Sequence, residues 1–509
     1  MAGKMTMRFS SIAKRLKFAD PGIWVLNLQH LRVTGLCDDS RQVMPGNLFA
    51  AVPGTRVDGA RFVRDALNRG ASALLVERPL PEFKLVPQIV SPDVRRTLGI
   101  LASMLYGDPS RHMTVVGITG TNGKTTSAFL MREVFEACGI GCGLMGTVCN
   151  IVGAERRPAD QTTPGPLQVQ QMLAEMRARG QQACVMEVSS HALDQQRVAG
   201  VRFAGAIFTN LTRDHLDYHK DFEHYFAAKA KLFEQLPPDG IGVFNLDDAW
   251  GERMRAACRG RALGFRFDAE ADFRIEQGRM AVEGMTFGLR WRDRGALFLS
   301  PLTGRYNVQN IAGVTALALA LGLPLQPVRA AVRSFRGAPG RLERVPHGSG
   351  PAVFVDYAHT PDAMQNVLET LRRVCAGRRL TVVFGCGGDR DRTKRPKMGA
   401  IAAALADRPI ITSDNPRSER PEAIIQEILD GVPPQQRPVE TFVDRREAIT
   451  RAIAEAAPDD VIAILGKGHE HYQIFSDRTV HFDDTEEARN ALHRHWGAQG
   501  SGRRQHALV

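Results

Sequence analysis

Aromatic side chains make up only 7% of the chain, and no long basic tract interleaves with them, so the stacking groove of a nucleic-acid binder is not expected. No stretch offers the roughly 18 consecutive apolar residues that would cross a bilayer, so membrane insertion is not expected either. Residues 1–18 are basic but lack the apolar core and small-residue cleavage site of a secretory signal, and a cytoplasmic protein is expected. The eight cysteines are scattered rather than densely spaced, which argues against a disulfide framework. Cys138 and Cys142 have no matching Cys or His pair nearby, which argues against zinc. Fixed-period repeats are missing too.

What is present describes an ordered protein of several domains. At 509 residues the chain exceeds one hydrophobic core, and 43% apolar with 24% charged residues is globular composition. Lys and Arg (66) outnumber Asp and Glu (55), giving +11, which favours anionic partners such as nucleotides or sugar diphosphates.

Hydrophobic patterning predicts an α/β fold in three domains. Short apolar runs at 48–52 and 73–76, broken by Gly, Pro and Asp, read as a small α/β domain over 1–112. Strands at 113–118, 183–187, 205–209 and 242–245 alternate with helices at 125–137 and 167–179, predicting a mainly parallel sheet in a central domain over 113–340. A second series follows: strands at 352–356, 380–384, 409–413 and 461–465, with helices at 361–374, 421–429 and 445–457. It predicts a doubly wound, Rossmann-like domain over 341–509, entered through the hinge Gly337-Ala338-Pro339-Gly340 and ending in a loose tail over the last dozen residues.

The first central strand leads into Gly117-Ile118-Thr119-Gly120-Thr121-Asn122-Gly123-Lys124-Thr125-Thr126. Glycines let backbone N–H groups turn onto phosphate oxygens, and the helix N-terminus adds positive potential. Lys124 would meet the β/γ-phosphates of ATP and the Thr125 hydroxyl would hold Mg²⁺. The commonest phosphate-loop pattern wants glycine where Ile118 stands. Glu187 closes the strand at 183–187 and His215 follows the next one, so both lie at the sheet edge where ligands bind in open α/β folds. Lys229 and Lys231 read as helix-surface lysines, and Asn307 and Asn310 open a helix with both amides on one face.

Three loops follow strands of the last domain: Gly387-Gly388-Asp389-Arg390-Asp391-Arg392, Asp414-Asn415-Pro416-Arg417 and Gly466-Lys467-Gly468-His469-Glu470. They can converge at one rim. Arg390 and Arg417 could clamp a carboxylate while Asp414 and Glu470 meet an ammonium, a charge pattern suited to a zwitterionic amino acid.

The GTNGKTT loop, with further motifs from residue 37 to about 484, resembles the Mur ligases over nearly the whole chain; the loop is also shared by the folylpolyglutamate synthases. The resemblance implies an ATP-dependent amide ligase with ATP and Mg²⁺ as cofactors, in which ATP activates a carboxylate as an acyl phosphate. It places Gly120, Thr121, Asn122, Gly123, Lys124, Thr125 and Thr126 around ATP, together with Asn307, Asn310, Arg341 at the phosphates, Asp356 near the ribose, and His359. It implies that Glu187 and His215 bind Mg²⁺ beside Thr125, and that Lys229 rather than Lys231 is carbamylated into a further anionic ligand.

Ser40 and Arg41, beside Pro45-Gly46-Asn47-Leu48-Phe49, resemble the uridine-diphosphate site, although the family usually carries an acidic residue where Asn47 stands. Thr162, Thr163, Ser189, Gln195 and Arg197 match positions that grip a UDP-N-acetylmuramoyl dipeptide. Arg390, Asp414, Asn415, Pro416, Arg417, Gly466 and Glu470 match the amino-acid site. The DNPR loop resembles the class adding meso-diaminopimelate to UDP-N-acetylmuramoyl-L-Ala-D-Glu, because L-lysine has no distal carboxylate for the arginine. A monomer is expected. A folylpolyglutamate-type ligase should lack the roughly 110 residues ahead of the loop, and a plain phosphate-loop NTPase would hydrolyse ATP whatever amino acid is present.

Overall fold

A computed structural model describes residues 6–54, 58–375, 377–436 and 438–497; the tail expected over the last dozen residues lies outside them. The chain forms two compact units, the first made mainly of residues 1–275 with 309–331, the second of 276–289, 295–308 and 332 onward.

The first unit holds two sheets. The smaller has the strand order Trp24–Leu26, Gln88–Val90, Ala73–Val76, Asn47–Ala50, Gly35–Cys37, parallel except at the first pair. Alternate residues of its strands face opposite ways: Leu48 and Leu75 pack with Phe9, Ile12 and Leu16 of the helix Phe9–Ala19, while Phe49 and Leu74 pack with Val63 and Ala66. The larger sheet runs Cys142–Met145, Ala183–Glu187, Thr114–Thr119, Gly205–Phe208, Ile241–Asn245, Arg261–Phe267, Phe273–Glu276, all neighbours parallel. Strands Asn150–Val152 and Glu155–Arg157 extend it as an antiparallel edge. Parallel strands buried on both faces need the unbroken apolar runs that made them legible.

The second unit carries the sheet order Glu343–Arg344, Ala352–Asp356, Val461–Leu465, Leu380–Phe384, Arg408–Thr412, Glu440–Phe442, antiparallel only at the first pair. Val353, Val355, Ile462 and Ile464 face the helices Arg445–Ala454 and Asp484–Trp496. Phe354, Val382 and Ala463 face Pro361–Val374, Lys394–Leu405 and Pro421–Leu429. Helices on both faces make the unit doubly wound, as expected.

Near the C-terminal ends of this sheet's strands, Arg445 and Asp484 form a fully buried pair at 2.7 Å. The guanidinium also donates to the Ser413 and Leu465 carbonyls, the residues just before two of the charged loops. Breaking such a pair strands a charge in a low dielectric. Arg445→Met should therefore cost about 3–5 kcal/mol, read as a lower denaturant midpoint for the second unit's transition. Arg445→Met with Asp484→Leu should recover most of that loss; an unshifted midpoint in the single variant would show the pair to be dispensable.

Six of the eight cysteines are buried. Among the described residues no helix is long and apolar enough to cross a membrane.

Candidate active site

The phosphate loop joins the strand Thr114–Thr119 to the helix Lys124–Ala137. Gly120 sits at φ 152°, and a Cβ there would lie 1.9 Å from Thr209 Oγ1, so only glycine lets the neighbouring strand's loop approach. Asn210 brackets Asn122, accepting its N–H at 2.9 Å and donating to its carbonyl at 3.1 Å. Lys124 Nζ donates to the Gly120 and Thr121 carbonyls at 2.8 and 2.9 Å. Asn310 presses on the loop, its Oδ1 2.4 Å from where a Gly123 Cβ would be. The helix Arg305–Ala320 carries both expected asparagines, and Asn307 Nδ2 donates to the Thr303 carbonyl at 2.8 Å.

Behind the loop, Glu187 is fully buried yet well served. Its carboxylate accepts from Thr125 Oγ1 at 2.9 Å, Thr147 N at 2.9 Å and Thr147 Oγ1 at 3.0 Å. Thr147, which no motif singled out, stands just past the end of Cys142–Met145, a strand pairing in parallel with Ala183–Glu187. The network continues outward. Thr147 Oγ1 meets Thr162 Oγ1 at 3.1 Å, and Thr163 Oγ1 donates to the Glu187 carbonyl at 2.9 Å and accepts from Ser189 N at 3.0 Å. Arg197 donates to the Thr163 carbonyl at 3.0 Å and to Gln195 Oε1 at 2.7 Å. Thus Thr125, Glu187, Thr162, Thr163, Ser189, Gln195 and Arg197, scattered over more than seventy positions (125 to 197), fall into one connected edge of the sheet.

Lys229 lies in the helix Phe222–Glu234 with 1% of its surface exposed. Its Nζ donates to the Gly120 carbonyl at 3.0 Å and sits 4.5 Å from the Tyr225 ring centre. Burial, with help from the nearby Lys124 charge, holds this amine well below the usual lysine range. Lys231 is different: it is partly exposed and ion-paired to Asp194 at 3.0 Å. His215 is exposed, in the left-handed region at φ 53°, with its ring 4.8 Å from that of His191 and 3.5 Å from Asp214. His219, not anticipated from sequence, is buried against Ser190 Oγ at 2.9 Å, and desolvation brings its pKa down to about 4.

Among the described residues no group of three His, Cys, Asp or Glu side chains is set to hold a metal. The oxygens of Thr125, Thr147 and Glu187 nonetheless form a hard donor cluster suited to Mg²⁺.

In the small sheet's domain, Ser40 and Arg41 lie in the 3-10 turn Ser40–Gln42. Ser40 is buried, while exposed Arg41 pairs with Asp39 at 2.8 Å and holds that carboxyl at about 2. Asn47, in the family's usual acidic position, accepts Met44 N at 3.0 Å, so the amide preserves the turn.

In the second unit, Arg341 lies over the Tyr357 ring at 5.0 Å, with its Nε buried and without a hydrogen-bond partner among the described residues. Asp356 accepts from Leu342 N at 2.6 Å and Ala358 N at 2.8 Å, so its carboxylate ties two loops together. His359, an exposed residue, turns its Nδ1 to the Tyr357 carbonyl at 2.9 Å, and desolvation by the surrounding protein lowers its pKa.

The three charged loops do meet. Arg417 N and Nη1 donate to the Ile474 carbonyl at 3.0 Å and the Gly388 carbonyl at 2.8 Å. Gly388 N donates to the carbonyl of Asn415 at 2.9 Å, and Asn415 Nδ2 to Glu470 Oε2 at 2.9 Å. Gly466, at φ 118°, lets Asp414 Oδ2 stand 3.0 Å from where a Cβ would be. Asp414 Oδ1 is buried with no hydrogen-bond partner among the described residues. Pro416 stacks its carbonyl on Gly388, while Arg390 is exposed and donates to the carbonyl of Asp389 at 3.0 Å. Cation and anion therefore share one rim.

The chain matches the Mur ligase middle domain over residues 118–318, the Mur ligase glutamate ligase domain over 340–468, and the Mur ligase family catalytic domain over 32–106. It is 48% identical to the UDP-N-acetylmuramoyl-L-alanyl-D-glutamate--2,6-diaminopimelate ligase of Gloeobacter violaceus, covering 93% of this chain and 96% of that one. Against the protein of the same description from Synechococcus elongatus the identity is 46%, with 92% and 96% covered. A solved structure of a UDP-N-acetylmuramoyl-L-alanyl-D-glutamate--2,6-diaminopimelate ligase superposes with a TM-score of 0.72 at 34% identity, covering 97% of this chain and 99% of the other.

Proposed function

The chain belongs to the Mur ligase family, and on that premise we infer that it is an ATP-dependent ligase joining 2,6-diaminopimelate, as the meso form, to UDP-N-acetylmuramoyl-L-alanyl-D-glutamate in peptidoglycan synthesis. The observation that carries the substrate assignment is the shared rim of Asp414, Glu470 and Arg417, which offers both signs of charge to an amino acid with a second zwitterionic end.

An amine does not displace hydroxide from a carboxylate at neutral pH, so the acid is activated first. The γ-carboxylate of the D-glutamyl residue takes the γ-phosphoryl group of ATP, giving an acyl phosphate and ADP. The amine nitrogen then bonds to the acyl carbon, phosphate leaves with the C–O electron pair, and the nitrogen loses its proton. Lys124 and the loop amides neutralise charge moving onto phosphate oxygens. Asn310 steadies that loop, and Asn307, Arg341, Asp356 and His359 complete the nucleotide set. Thr162, Thr163, Ser189, Gln195 and Arg197 orient the dipeptide, with Ser40 and Arg41 assigned to the uridine diphosphate.

Thr125, Glu187, His215 and carbamylated Lys229 would hold Mg²⁺, which supplies Lewis-acid neutralisation of the phosphates. Support for the modification is the buried, neutral-leaning amine: only an unprotonated lysine adds carbon dioxide. Arg390, Arg417, Asp414, Asn415, Pro416, Gly466 and Glu470 receive the amino acid. The enzyme works in the cytoplasm, where ATP and nucleotide-sugar precursors are made, and as a monomer.

Phosphate release should require the UDP-muramoyl dipeptide and meso-diaminopimelate together. A panel of amino acids assayed for phosphate would show turnover only with diaminopimelate; equal turnover with L-lysine would reject the substrate while sparing the ligase, and release with no amino acid at all would favour a simple NTPase.

A further inference from the structure

Lys467 is the one residue of the Gly466-Lys467-Gly468-His469-Glu470 loop whose cation faces inward onto the proposed amino-acid rim. Its side chain is completely buried, unusual for a lysine two positions past a strand end. Nζ stands 3.1 Å from Asn415 Oδ1, 3.3 Å from Glu470 Oε2 and 3.7 Å from Asp414 Oδ1. Asn415 Nδ2 donates to the same Glu470 oxygen at 2.9 Å, so that oxygen is committed to the lysine and the amide.

Charge dictates what such a lysine does. Asp414 and Glu470 both reach the one ammonium, which draws the two carboxylates toward a common point. The other groups facing the pair include Tyr357 and Tyr472, phenols with pKa raised by burial and by these carboxylates, His359 and Cys386 beside Asp414, and Arg445, whose guanidinium is already bound to Asp484 and two carbonyls. Arg417 is bound to the Gly388 carbonyl. Among the described residues Lys467 alone combines a full charge with hydrogen-bond contact to Glu470. Asp414 Oδ1 keeps no hydrogen bond, so its accepting capacity is left for something else.

We propose that Lys467 is a positioning residue for the amino-acid substrate, holding Asp414 and Glu470 side by side and turned to accept the distal ammonium of a diamino acid. The proposal rests on the reading of this rim as the amino-acid site. It assigns the lysine no contact with the substrate itself.

The test is kinetic and uses the full chain. Lys467→Gln removes the charge and keeps a donor for Asn415. It should raise the diaminopimelate KM about 10- to 100-fold with the ATP and dipeptide KM values within about twofold. The change should fall on that KM more than on kcat, because the lysine orients the acceptors of the amino acid and touches no reacting atom. Lys467→Arg, which keeps the charge on a different frame, should recover part of the KM. Should the glutamine variant not fold, Lys467→Met carries the same expectations. All three KM values rising together, or a diaminopimelate KM that stays put, would mark the lysine as core filling and overturn the proposal. Arg417→Ala separates the two layers: if it too leaves the diaminopimelate KM unmoved, the rim assignment has failed; if it alone raises that KM, only the role of Lys467 has.

Discussion

Lys229→Ala is expected to lower kcat by about a thousandfold while moving the diaminopimelate KM by no more than about twofold. The side chain is buried against the phosphate loop, 3.0 Å from the Gly120 carbonyl. Desolvation and Lys124 both press it toward the neutral amine. Addition of carbon dioxide forms an N–C bond, releases the amine proton and leaves a carbamate anion on the nitrogen, converting an ill-placed base into an oxygen donor. Neighbouring Lys231 is instead partly exposed and ion-paired to Asp194 at 3.0 Å. The loss is expected in kcat because the role proposed for the residue lies in phosphoryl transfer rather than in recognition of the amine. Growth of the protein in ¹³C-bicarbonate should give a carbamate carbon signal that Lys229→Ala lacks. A fully active enzyme without the signal would remove carbamylation, and an alanine variant of near-normal kcat would remove Lys229 from the site.

Arg417→Ala should collapse the preference for diaminopimelate over L-lysine from about 10⁴ to about 10² or less, almost entirely through loss of diaminopimelate turnover. A site built to bind a charged group rejects an analogue lacking it, because its own buried partners are then left unpaired. Arg417 sits at φ 52°, a conformation a branched or long side chain adopts at a cost, and two hydrogen bonds across neighbouring loops hold it there. A planar fork can take a carboxylate with two parallel bonds, which a lysine cannot copy, so Arg417→Lys should recover less than a tenth of the lost kcat/KM, roughly. Arg417→Gly relieves the backbone while removing the fork; if it behaves like alanine, the effect belongs to the guanidinium. Unchanged discrimination in all three variants would take the arginine out of substrate recognition.

The parallel strands were readable because burial on both faces forces continuous β-branched and apolar runs: 183–187, 352–356, 380–384 and 461–465 stand where the pattern put them. Partly exposed strands were not. Arg261–Phe267, Gly284–Trp291 and Arg294–Ser300 mix polar and apolar residues, and the short edge pair Asn150–Val152 and Glu155–Arg157 is held by its turn more than by composition. Site residues followed a similar divide. Candidates inside contiguous motifs, from Gly120 to Thr126 and from Asp414 to Arg417, were singled out from glycine spacing, charge and family resemblance. Thr147 was missed because its partner Glu187 is forty positions away, and only the parallel pairing of their strands brings them together. Its one available hint was its place after a Gly at the end of an apolar run. The burial of Lys467, and the pairing of Arg445 with Asp484, likewise depend on loops and helices that meet only once folded. The Lys229 environment could not be read from a helix whose lysines at 229 and 231 look alike as text.

Burial also governs the sulfur chemistry. Cys142, Cys184, Cys375 and Cys386 are enclosed, and desolvation pushes Cys375 up to about 11 and both Cys184 and Cys386 to about 12. Peroxides and electrophiles act on thiolates they can reach, and these four are neither ionised nor within reach while their sheets stay closed. In an oxidatively stressed cell, adducts on these sulfurs would record that the polypeptide had already come undone, a scar of collapse instead of its trigger.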